Sequence, residues 1–318
     1  MRVAAIDCGT NTIRLLVADG GSGPAGPVLV DVHREMRVVR LGEGVDATGR
    51  ITSGALDRTW NALADYTAIL RIAGAVTVRM AATSATRDAT NRDEFISMVT
   101  HTLGQEPEVI SGAEEAELSF AGAISALTAH GPVDGDVVVV DIGGGSTELV
   151  VGTSAGRDSL IRGRVSENIG SVRLTERVLA GDPPTPEQIA TARAWVGPVV
   201  AAALDRLPLA GVHTFVAVSG TATTVAAAAL RLPLYRPEVL DLARVGLLEL
   251  SRAGQQLLAM TRAHRAALGF MHPGRVDVIG AGALILDAVA TGLADRTGLS
   301  VATISEHDIL DGLALSLL

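Results

Sequence analysis

At 318 residues, the chain is longer than one hydrophobic core usually supports, since cores stop growing near about 250–300 residues, and two domains of ordinary size are expected. Its 48% of hydrophobic and 19% of charged residues exclude a disordered protein, and with only 3% of aromatic residues its cores must consist of Ala, Val, Leu and Ile. The net charge of −9 argues against a nucleic-acid-binding coat, so no nucleic-acid partner is expected.

The basic residues and the single cysteine narrow the chemistry further. All 26 basic side chains are Arg, which excludes a P-loop Lys, a protein-kinase Lys and a Schiff-base Lys. Because the chain has no Lys, a phosphate is expected to be clamped by Arg side chains or by backbone N–H groups. Cys8 is the only cysteine, so an internal disulfide and a Cys-based metal cluster are excluded, and a reducing cytoplasm fits.

The sequence indicates neither a signal peptide nor a membrane span. Asp7 and Arg14 lie where a signal peptide would be apolar, and no uncharged apolar run reaches the ~18–20 residues of a membrane-spanning helix. The most apolar run, Val278 to Leu286, ends at Asp287 and is typical of a buried helix. A cytoplasmic protein without a membrane partner is expected.

An internal repeat begins the chain. Residues 3–17 align without a gap with residues 137–151, and each copy has a buried strand, a tight polar turn and a second strand, which predicts a β-hairpin. Two such hairpins, far apart in the sequence, suggest two similarly folded domains that face one another. The equivalent positions are Asp7 and Asp141, Gly9 and Gly143, Thr12 and Ser146, and Leu15 and Leu149.

Strands and helices alternate between the two repeats. Residues 20–27 are rich in Gly and Pro and predict a loop. A helix is expected after Thr52 or Ser53, and its apolar face would contain Leu56, Trp60, Leu63 and Leu70. The other predicted elements are strands at 28–40, 76–82 and 108–110 and helices at 93–103 and 114–127.

The second half of the chain continues the alternation, which predicts α/β layers. Thr185, Pro186 and Glu187 are typical of a helix start, with Pro at the first helical position, and this helix would run to Leu207. The other predicted elements are strands at 159–165, 213–218 and 299–304 and helices at 172–179, 242–260, 277–293 and 307–318.

Both hairpin turns have the pattern Asp-x-Gly-x-x-Ser/Thr, which suits phosphate binding. Glycine lets backbone N–H groups approach phosphate oxygens closely, and hydroxyl groups add donors. An Asp at a strand end is placed for hydrated Mg²⁺, which favours a few carboxylates together with phosphate oxygens. Many hairpins use Asp-x-Gly only to turn, so the argument depends on two such turns in register, one of them carrying Gly143, Gly144 and Gly145.

The paired turns resemble those of the superfamily of actin, heat-shock chaperone ATPases and sugar kinases. A fuller set of segments resembles the exopolyphosphatase and guanosine pentaphosphate phosphohydrolase family within it and covers essentially the whole chain. The matching segments are residues 7–12, 40–44, 82–87, 110–116 and 141–148, with weaker matches at residues 168–173, 219–224 and Arg275 with Asp277.

This resemblance implies an α/β fold of two actin-like ATPase (ribonuclease H-like) domains with the active site in an interdomain cleft. The expected division assigns residues 1–124 and 301–318 to the first domain and residues 125–300 to the second. The resemblance also suggests a homodimer, which nothing else in the sequence indicates.

The resemblance assigns catalytic roles to Glu115, Arg87 and Glu148. Glu115 matches the general base that activates the attacking water, and burial beside Glu114 would raise its pKa toward a useful value. The same two acids are also typical of the first turn of a helix. Arg87 matches the phosphate-clamping Arg, although an Arg beside Asp88 is also typical of an exposed loop. Glu148 on a strand could also be a solvated residue of an alternating pattern.

The resemblance likewise implies a metal site and a set of phosphate contacts. The metal, Mg²⁺ or Mn²⁺, would be held by Asp7, Asp141 and Glu148. The expected phosphate-binding residues are Gly9, Thr10, Asn11, Thr12, Ser84, Gly143, Gly144, Gly145, Ser146, Thr147, Gly170, Ser171 and Arg173.

Two further segments stay open between a functional and a plain structural interpretation. Residues 219–224 lie where relatives with nucleotide substrates hold the adenosine side, or they simply begin a helix after a strand. Four arginines could form a basic track for a chain of phosphates or a solvated surface; they are Arg162, Arg164, Arg173 and Arg177. The His residues lack metal-ligand spacing, so a zinc site is not expected.

The expected activity is that of an exopolyphosphatase, in which water attacks the terminal phosphoryl group of inorganic polyphosphate in line and orthophosphate leaves. The alternative is removal of the 5′ γ-phosphate of guanosine pentaphosphate, and the shortage of aromatic residues that could stack a base favours polyphosphate. The protein chain ends soon after Asp308, without the helical C-terminal region of longer family members. The resemblance therefore favours shorter polyphosphate substrates.

Two other classes of function remain as alternatives. A kinase of the same superfold needs a base that is aimed at a substrate hydroxyl rather than at water. Glu115, which follows Ser111 and Gly112 in its motif, argues against a kinase. A non-catalytic sensor of polyphosphate or alarmone would not need Glu115, Arg87, Asp141 and Glu148 together.

Overall fold

The computed structural model describes residues 1–23, 26–153 and 160–318. It contains two β-sheets flanked by helices, so the predicted α/β class is confirmed. The first sheet is formed by β1 (Arg2–Cys8), β2 (Thr12–Gly23), β3 (Gly26–Val38), β4 (Thr77–Ala82) and β5 (Glu108–Val109). The second sheet is formed by β6 (Asp136–Ile142), β7 (Thr147–Thr153), β8 (Ile161–Glu167), β9 (Val212–Val218), β10 (Arg244–Gly246) and β11 (Val301–Ile304).

The two sheets repeat one topology. The strand order is β3-β2-β1-β4-β5 in the first sheet and β8-β7-β6-β9-β11 in the second, where β10 is added at the edge. In both sheets the first three strands of this order are antiparallel, and the later neighbours β1–β4, β4–β5, β6–β9 and β9–β11 are parallel. The internal repeat in the sequence therefore corresponds to two sheets with the same topology.

Each repeat forms the predicted hairpin at the centre of its sheet. β1 pairs with β2 so that Asp7 lies opposite Arg14, and β6 pairs with β7 so that Asp141 lies opposite Glu148. Nearly every residue of β1 and β6 is buried, because each strand has neighbours on both sides and helices on both faces. Both aspartates thus stand at the carboxyl end of a buried central strand.

Helices cover the faces of both sheets. Those in the first half are α1 (Val45–Thr48), α2 (Ser53–Ala73), α3 (Ser84–Asp88), α4 (Arg92–Leu103) and α5 (Gly112–Ala129). Those in the second half are α6 (Ser171–Arg177), α7 (Pro186–Asp205), α8 (Ser219–Ala229), α9 (Pro237–Leu240), α10 (Leu247–Ala259), α11 (Arg262–Ala266), α12 (Ile279–Thr297) and α13 (Ile309–Leu315). None of these helices is both apolar and long enough to cross a lipid bilayer.

The helix α5 is packed between the two halves. Its residues Ala116, Phe120 and Ala123 join a cluster with Val residues of the second sheet, while Leu118 joins a cluster with β1 and α13. Ala, Leu, Phe and Ile occur around most of its circumference, as expected of a helix buried on two faces. The packing of α5 against both sheets fixes the position of its first turn.

The last helix, α13, crosses α5 with direct backbone contact. A Cβ at Gly122 of α5 would overlap the carbonyl of Asp308, and a Cβ at Gly312 of α13 would overlap the carbonyl of Leu118. Leu313 of α13 is fully buried in the core with β1. This glycine contact ties the end of the chain to α5 and the first sheet.

The domain division stays a prediction, and two features of the fold bear on it. The strand β11 pairs with β9 in the second sheet, whereas the prediction assigned residues from 301 onward to the first domain. The helix α13 packs on the first sheet. The proposed boundary would therefore lie after Ile304 rather than before Val301.

Some element predictions were wrong. Most of the predicted loop at 20–27 is paired, since β2 extends to Gly23 and β3 starts at Gly26; residues 24 and 25 lie outside the described residues. The predicted helix at 242–260 begins only at Leu247, because residues 244–246 pair with β11 as the edge strand β10. The first residue of the predicted strand at 159–165 also lies outside the described residues, and β8 begins at Ile161.

The buried face of α2 also differs from the prediction. Leu63 and Leu70 are buried as expected, but Trp60 is 49% exposed. The buried stripe instead contains Ala55, Thr59, Ala62 and Tyr66, which follow the helical spacing of three and four residues. Trp60 lies one position beyond this stripe. It was assigned to the buried face because it is large and apolar, although its position in the helix places it toward solvent.

Candidate active site

The two predicted phosphate loops face each other across a cleft. The N–H of Gly9 donates to the carbonyl of Thr12 at 2.9 Å, and the N–H of Gly143 donates to the carbonyl of Ser146 at 3.0 Å, so both turns are closed by the same hydrogen bond. A cavity of about 770 Å³ lies between the loops. The repeat in the sequence thus corresponds to two matching walls of one site.

The first loop touches the glycines of the second loop. A Cβ on Gly144 would lie 2.9 Å from Cβ of Thr10, and a Cβ on Gly145 would lie 2.7 Å from Oγ1 of Thr10. Both distances are shorter than real Cβ contacts, so only glycine permits this approach. Ser84, at the start of α3, packs against Gly145 as well. The run of glycines therefore serves the close contact between the two halves.

Most of the predicted phosphate-binding and metal-binding residues line this cavity. They are Asp7, Gly9, Thr10, Asn11, Thr12, Ser84, Asp141, Gly143, Gly144, Gly145, Ser146 and Ser171, and Glu115 also lines it. The predicted residues outside the lining are Arg87, Thr147, Glu148, Gly170 and Arg173.

Glu115 reaches the cavity from the first turn of α5. Ser111 precedes the helix as its N-cap, and its Oγ accepts a hydrogen bond from the N–H of Glu114 at 3.2 Å, which fixes where the helix begins. The Glu115 side chain is 12% exposed, and its Oε2 accepts a hydrogen bond from Nη1 of Arg87 at 2.7 Å. The capped helix start therefore points this carboxylate into the cleft.

Burial raises the pKa of Glu115 to about 7, although Arg87 acts to lower it, and the charges of Asp7 and Asp141 raise it further. A carboxylate with such a pKa is about half ionised at pH 7, and its ionised form is basic enough to take a proton from water. Glu114 lies outside this environment and accepts a hydrogen bond from Nη2 of Arg79 at 2.8 Å. The environment thus separates two acids that are adjacent in the sequence.

Arg87 lies behind Glu115 and not in the cavity lining. Its Nη1 donates to the carbonyl of Ile110 at 2.9 Å as well as to Glu115. Its side chain lines a second cavity on the far side of this ion pair. The predicted contact between Arg87 and phosphate therefore stays a prediction, while its contact with the predicted base is direct.

Asp141 and Glu148 face each other across the second hairpin and are both buried, at 7% and 2% exposure. Oδ2 of Asp141 accepts a hydrogen bond from Oγ of Ser119 at 2.6 Å, and Oε1 of Glu148 accepts one from Oγ of Ser166 at 2.8 Å. Burial raises the pKa of Asp141 to about 6. Burial, followed by the charges of Glu115 and Asp141, raises the pKa of Glu148 well above its ordinary value.

Asp7 has a different environment at the equivalent position. Its Oδ2 accepts hydrogen bonds from Nη2 of Arg14 at 2.7 Å and from Nε at 3.0 Å, and Arg14 also forms an ion pair with Asp308. Burial raises the pKa of Asp7 against the lowering effect of Arg14. Its other oxygen, Oδ1, is buried without a hydrogen-bond partner among the described residues.

These carboxylates fit a divalent cation of the magnesium type. Burial raises the pKa values of Glu115, Asp141 and Glu148, and the negative charges of neighbouring acids raise them further. In the described part of the chain, no three His, Cys, Asp or Glu side chains form a protein-only metal cage. Mg²⁺ does not need one, since it keeps several waters and binds one or two carboxylates plus phosphate oxygens.

The segment at 168–173 supports the second loop from behind. Oγ1 of Thr147 donates to the carbonyl of Ile169 at 2.6 Å, and the N–H of Ser171 donates to the carbonyl of Gly143 at 2.9 Å. A Cβ on Gly170 would overlap the backbone of Gly144. Thr147 and Gly170 therefore hold the loop in place, whereas Ser171 also reaches the cavity.

Arg173 joins the two halves of the protein. Its guanidinium forms ion pairs with Asp46 and Asp88 of the first half, and its Nε donates to the carbonyl of Gly145 at 3.0 Å. Arg177 forms an ion pair with the same Asp46. In this conformation Arg173 holds the cleft closed and its guanidinium nitrogens are occupied, so its predicted role in phosphate binding stays a prediction.

Sequence reasoning missed Arg14 and Asp308, and it matched Arg275 to the family without giving it a role. Arg14 and Arg275 both line the cavity, and Asp308 holds Arg14 from the opposite side. The repeat contained a signal for Arg14, because this residue aligns with Glu148 and so replaces an acid by a base. Residues 219–224, left open above, begin α8 directly after β9, and Ser219, Gly220 and Thr221 line the cavity.

Comparisons with known proteins agree with this geometry. Residues 17–317 match the Ppx/GppA phosphatase family. Exopolyphosphatase 2 of Mycobacterium tuberculosis is 50% identical over 321 residues, which cover 99% of this chain and 98% of that protein.

Two solved structures extend the comparison to the fold. The structure of the Aquifex aeolicus Ppx/GppA family member is 27% identical, covers 100% of this chain and 97% of its own, and superposes with a TM-score of 0.80. The structure of an exopolyphosphatase from Cytophaga hutchinsonii is 28% identical, covers 98% of this chain and 96% of its own, and has a TM-score of 0.83. These matches confirm the predicted two-domain actin-like fold and the family resemblance.

Proposed function

The chain belongs to the Ppx/GppA phosphatase family, and on that premise we propose that it is an exopolyphosphatase that releases terminal orthophosphate from inorganic polyphosphate. The observation that carries the proposal is Glu115, a buried carboxylate with a pKa of about 7 that lines a cavity between two glycine-rich phosphate loops. A base matched to neutral pH and aimed into a phosphate-binding cleft suits the activation of water.

In the proposed reaction, water attacks the terminal phosphoryl group in line, and the shortened chain leaves on the opposite side. Oε of Glu115 takes the proton of the attacking water. The backbone N–H groups of the turns at 9–12 and 143–146, together with the hydroxyls of Thr12 and Ser146, hold the phosphate oxygens. Arg87 orients Glu115 through its 2.7 Å ion pair.

Asp141, Glu148 and Asp7 are the residues that we propose to hold the divalent cation. The unpartnered Oδ1 of Asp7 and the excess negative charge around Asp141 and Glu148 support this assignment. Mg²⁺ or Mn²⁺ bound there would neutralise phosphate oxygens and polarise the bond to be broken. Ser119 and Ser166 keep two of these carboxylates in position through their hydrogen bonds.

Guanosine pentaphosphate is a second candidate substrate, and one observation favours it. A cavity of about 1080 Å³ adjoins the cleft, and Arg14 and Arg275 line both spaces. Tyr235 and Phe270 lie in its lining, so an aromatic surface for a base exists beside the phosphate site despite the few aromatic residues in the sequence. The preference between the two substrates is therefore decided by experiment.

The test compares orthophosphate release from short polyphosphate, long polyphosphate, guanosine pentaphosphate and ATP, each with and without Mg²⁺. The wild-type chain is compared with Glu115→Gln and with Glu114→Gln, a matched control because Glu114 faces Arg79 and not the cleft. We expect Mg²⁺-dependent release from polyphosphate, a loss of roughly 10²–10⁴-fold in kcat for Glu115→Gln, and little change for the control. Substrate binding should persist in both variants.

Near-normal turnover of Glu115→Gln would remove this residue from the mechanism. Binding without release from any substrate would favour a sensor, and release that requires an added acceptor would favour a kinase. A homodimer remains a proposal that follows from the resemblance, and a cytoplasmic location remains one that follows from the single cysteine and the charged first residues. Sedimentation velocity tests the first, and fractionation of the native host tests the second.

A further inference from the structure

A second cavity of about 740 Å³ lies behind the catalytic base. Its lining includes Arg87, Gly112, Ala113, Arg164, Ser166 and Arg206. It shares no lining residue with the cleft between the two glycine loops. The two spaces are nevertheless adjacent, because Arg87 of the second cavity forms an ion pair with Glu115, which lines the cleft.

Two polar contacts lie near the boundary between the two spaces. One is the ion pair between Nη1 of Arg87 and Oε2 of Glu115 at 2.7 Å, and the other is the hydrogen bond from Oγ of Ser166 to Oε1 of Glu148 at 2.8 Å. Gly112 and Ser166 approach each other closely there, since a Cβ on Gly112 would lie 2.5 Å from Oγ of Ser166.

The lining of the second cavity suits an oxyanion. It carries the guanidinium groups of Arg87, Arg164 and Arg206 and no carboxylate. Arg164 is paired with Glu117 at 3.0 Å and Arg206 with Glu167, but both arginines are exposed, at 43% and 57%. Exposed ion pairs contribute little stability in water, so a dianion can replace the carboxylates at small cost.

In-line displacement assigns the two spaces to different products. Water attacks from the side of Glu115, so the shortened polyphosphate leaves on the side away from it, in the main cleft. The orthophosphate that forms faces Glu115 and lies between this residue and the chain. On the other side, Thr10 and Ser84 press against Gly145, and Arg173 forms an ion pair with Asp46, so the two halves are in contact there.

We propose that the second cavity is an orthophosphate site, bounded by Arg87, Arg164 and Arg206, through which the released phosphate leaves while the shortened chain stays in the cleft. The inference rests on the proposed function for its order of events, and the site itself can be tested without turnover. Arg87 would serve as the movable part of the boundary, changing its partner from Glu115 to the departing phosphate.

The first experiment measures binding of inorganic phosphate to the full chain by calorimetry, in the absence of any other substrate. We expect the double variant Arg164→Gln/Arg206→Gln to weaken one binding event roughly tenfold. The matched control is Arg162→Gln/Arg236→Gln, which removes two exposed, paired arginines outside the cavity and should change the affinity less than about twofold. Equal effects in both double variants, or no effect in either, would overturn the proposal.

The second experiment narrows the exit with Ala113→Phe, and Ala129→Phe near the other end of α5 is the control; both alanines are exposed. With short polyphosphate, we expect acid-quenched first-turnover formation of orthophosphate to stay within about twofold, while release of free phosphate in the steady state slows roughly tenfold, the pattern of rate-limiting product release. Unchanged steady-state release, or an equal loss in both rates, would contradict an exit at this position. If the wild-type chain hydrolyses nothing, the proposed function fails, and the binding experiment still decides whether the phosphate site exists.

Discussion

The first and second hairpins place an aspartate at the same point of the same fold, but the residue opposite differs. Asp7 faces Arg14, which also binds Asp308, so two carboxylates share one guanidinium in the first half. Asp141 faces Glu148 in the second half, where hydroxyl groups such as those of Ser119 and Ser166 donate to these two acids. The two hairpins therefore have the same backbone structure, but the first pairs its aspartate with a base and the second pairs its aspartate with an acid.

The difference separates a site that holds the structure together from a site that needs a ligand. In the first hairpin the cation is a side chain, so both carboxylates have an ionic partner as soon as the protein folds. In the second hairpin burial raises the pKa of both acids, which means that their ionised forms are costly until a cation arrives. The second hairpin is thus the expected centre of metal binding, with Asp7 as a contributor through its unpartnered oxygen.

The largest expected effect comes from removing the cation of the first hairpin. Arg14→Met leaves Asp7 and Asp308, which are 4% and 2% exposed, without their shared partner. We expect the free energy of unfolding to fall by about 3–5 kcal/mol, because a buried charge is left unpaired. Urea unfolding at neutral pH measures the change.

The control for this experiment is Arg50→Met, which breaks an ion pair with Glu94 whose two side chains are 58% and 56% exposed. Its effect should stay within about 0.5 kcal/mol. If Arg14→Met were equally mild, the first hairpin would not depend on its internal cation, and the contrast between the two hairpins would disappear.

The second prediction removes the acid that makes the second hairpin different. Glu148→Gln should lower Mg²⁺-dependent turnover on the order of 100-fold, because one proposed metal ligand becomes neutral. At the same time, its stability at pH 8 should increase on the order of 1 kcal/mol relative to the wild type. Phosphate release and urea unfolding measure the two quantities.

The sign of the stability change follows from the direction of the pKa shift. Since the folded-state pKa of Glu148 is raised, the native state binds the proton more tightly, and stability is lost as pH rises from the ordinary value of about 4.3 through the raised pKa. Gln removes that loss, so the gain should be present at pH 8 and largely absent at pH 4. A gain of the same size at both pH values would contradict the electrostatic explanation.

The third prediction concerns the base that lies between the hairpins. Glu115 must be ionised to accept a proton, so log(kcat/KM) should rise with pH and level off above about pH 7. Arg87 acts to lower the pKa of Glu115. Arg87→Gln should therefore shift the rising part of the pH profile to higher pH by about one unit, in addition to lowering the rate. If the pH profile of Arg87→Gln did not shift, a group other than Glu115 would control the rise of kcat/KM with pH.

The smallest expected effect tests the contact between the two halves. Asp46→Asn and Arg173→Gln, made separately and together, should show a coupling energy of about 1 kcal/mol in unfolding, since the pair is largely buried at 10% and 11% exposure. If Arg173 instead serves mainly as a phosphate ligand, Arg173→Gln would raise KM for polyphosphate strongly and Asp46→Asn would not.

Local patterns in the sequence were sufficient for the hairpins and for the start of α5. The gapless alignment put Asp7 on Asp141, and the structure gives them the same position, because strand and turn periodicity is a short-range property. Glu114 and Glu115 were recognised as typical of a first helical turn, and Glu115 lies in the first turn of α5; the helix begins at Gly112, two residues earlier than predicted, because Ser111 caps it. The glycines of the second loop were assigned to phosphate, and the structure adds their contact with Thr10 and Ser84.

Long-range partners could not be predicted from these patterns. Arg14 aligns with Glu148, yet nothing near it in the sequence indicates Asp308, which lies in the turn before the last helix. Arg173 was assigned to phosphate because its motif matched, but whether it reaches phosphate or Asp46 depends on how the two halves close. The edge strand β10 was hidden in an apolar run typical of a helix, since only its neighbour β11 makes it a strand.

The glycine crossing of α5 and α13 has a consequence for how the protein is made. A ribosome produces α5, with its motif residues, long before residues 309–315, yet α5 contacts them directly through Gly122 and Gly312. During synthesis the nascent chain would carry the complete set of phosphate loops and the base, but the helix that carries the base would lack one of its packing partners. Catalytic competence is therefore acquired late in translation, after the sequence that encodes the chemistry has already been read.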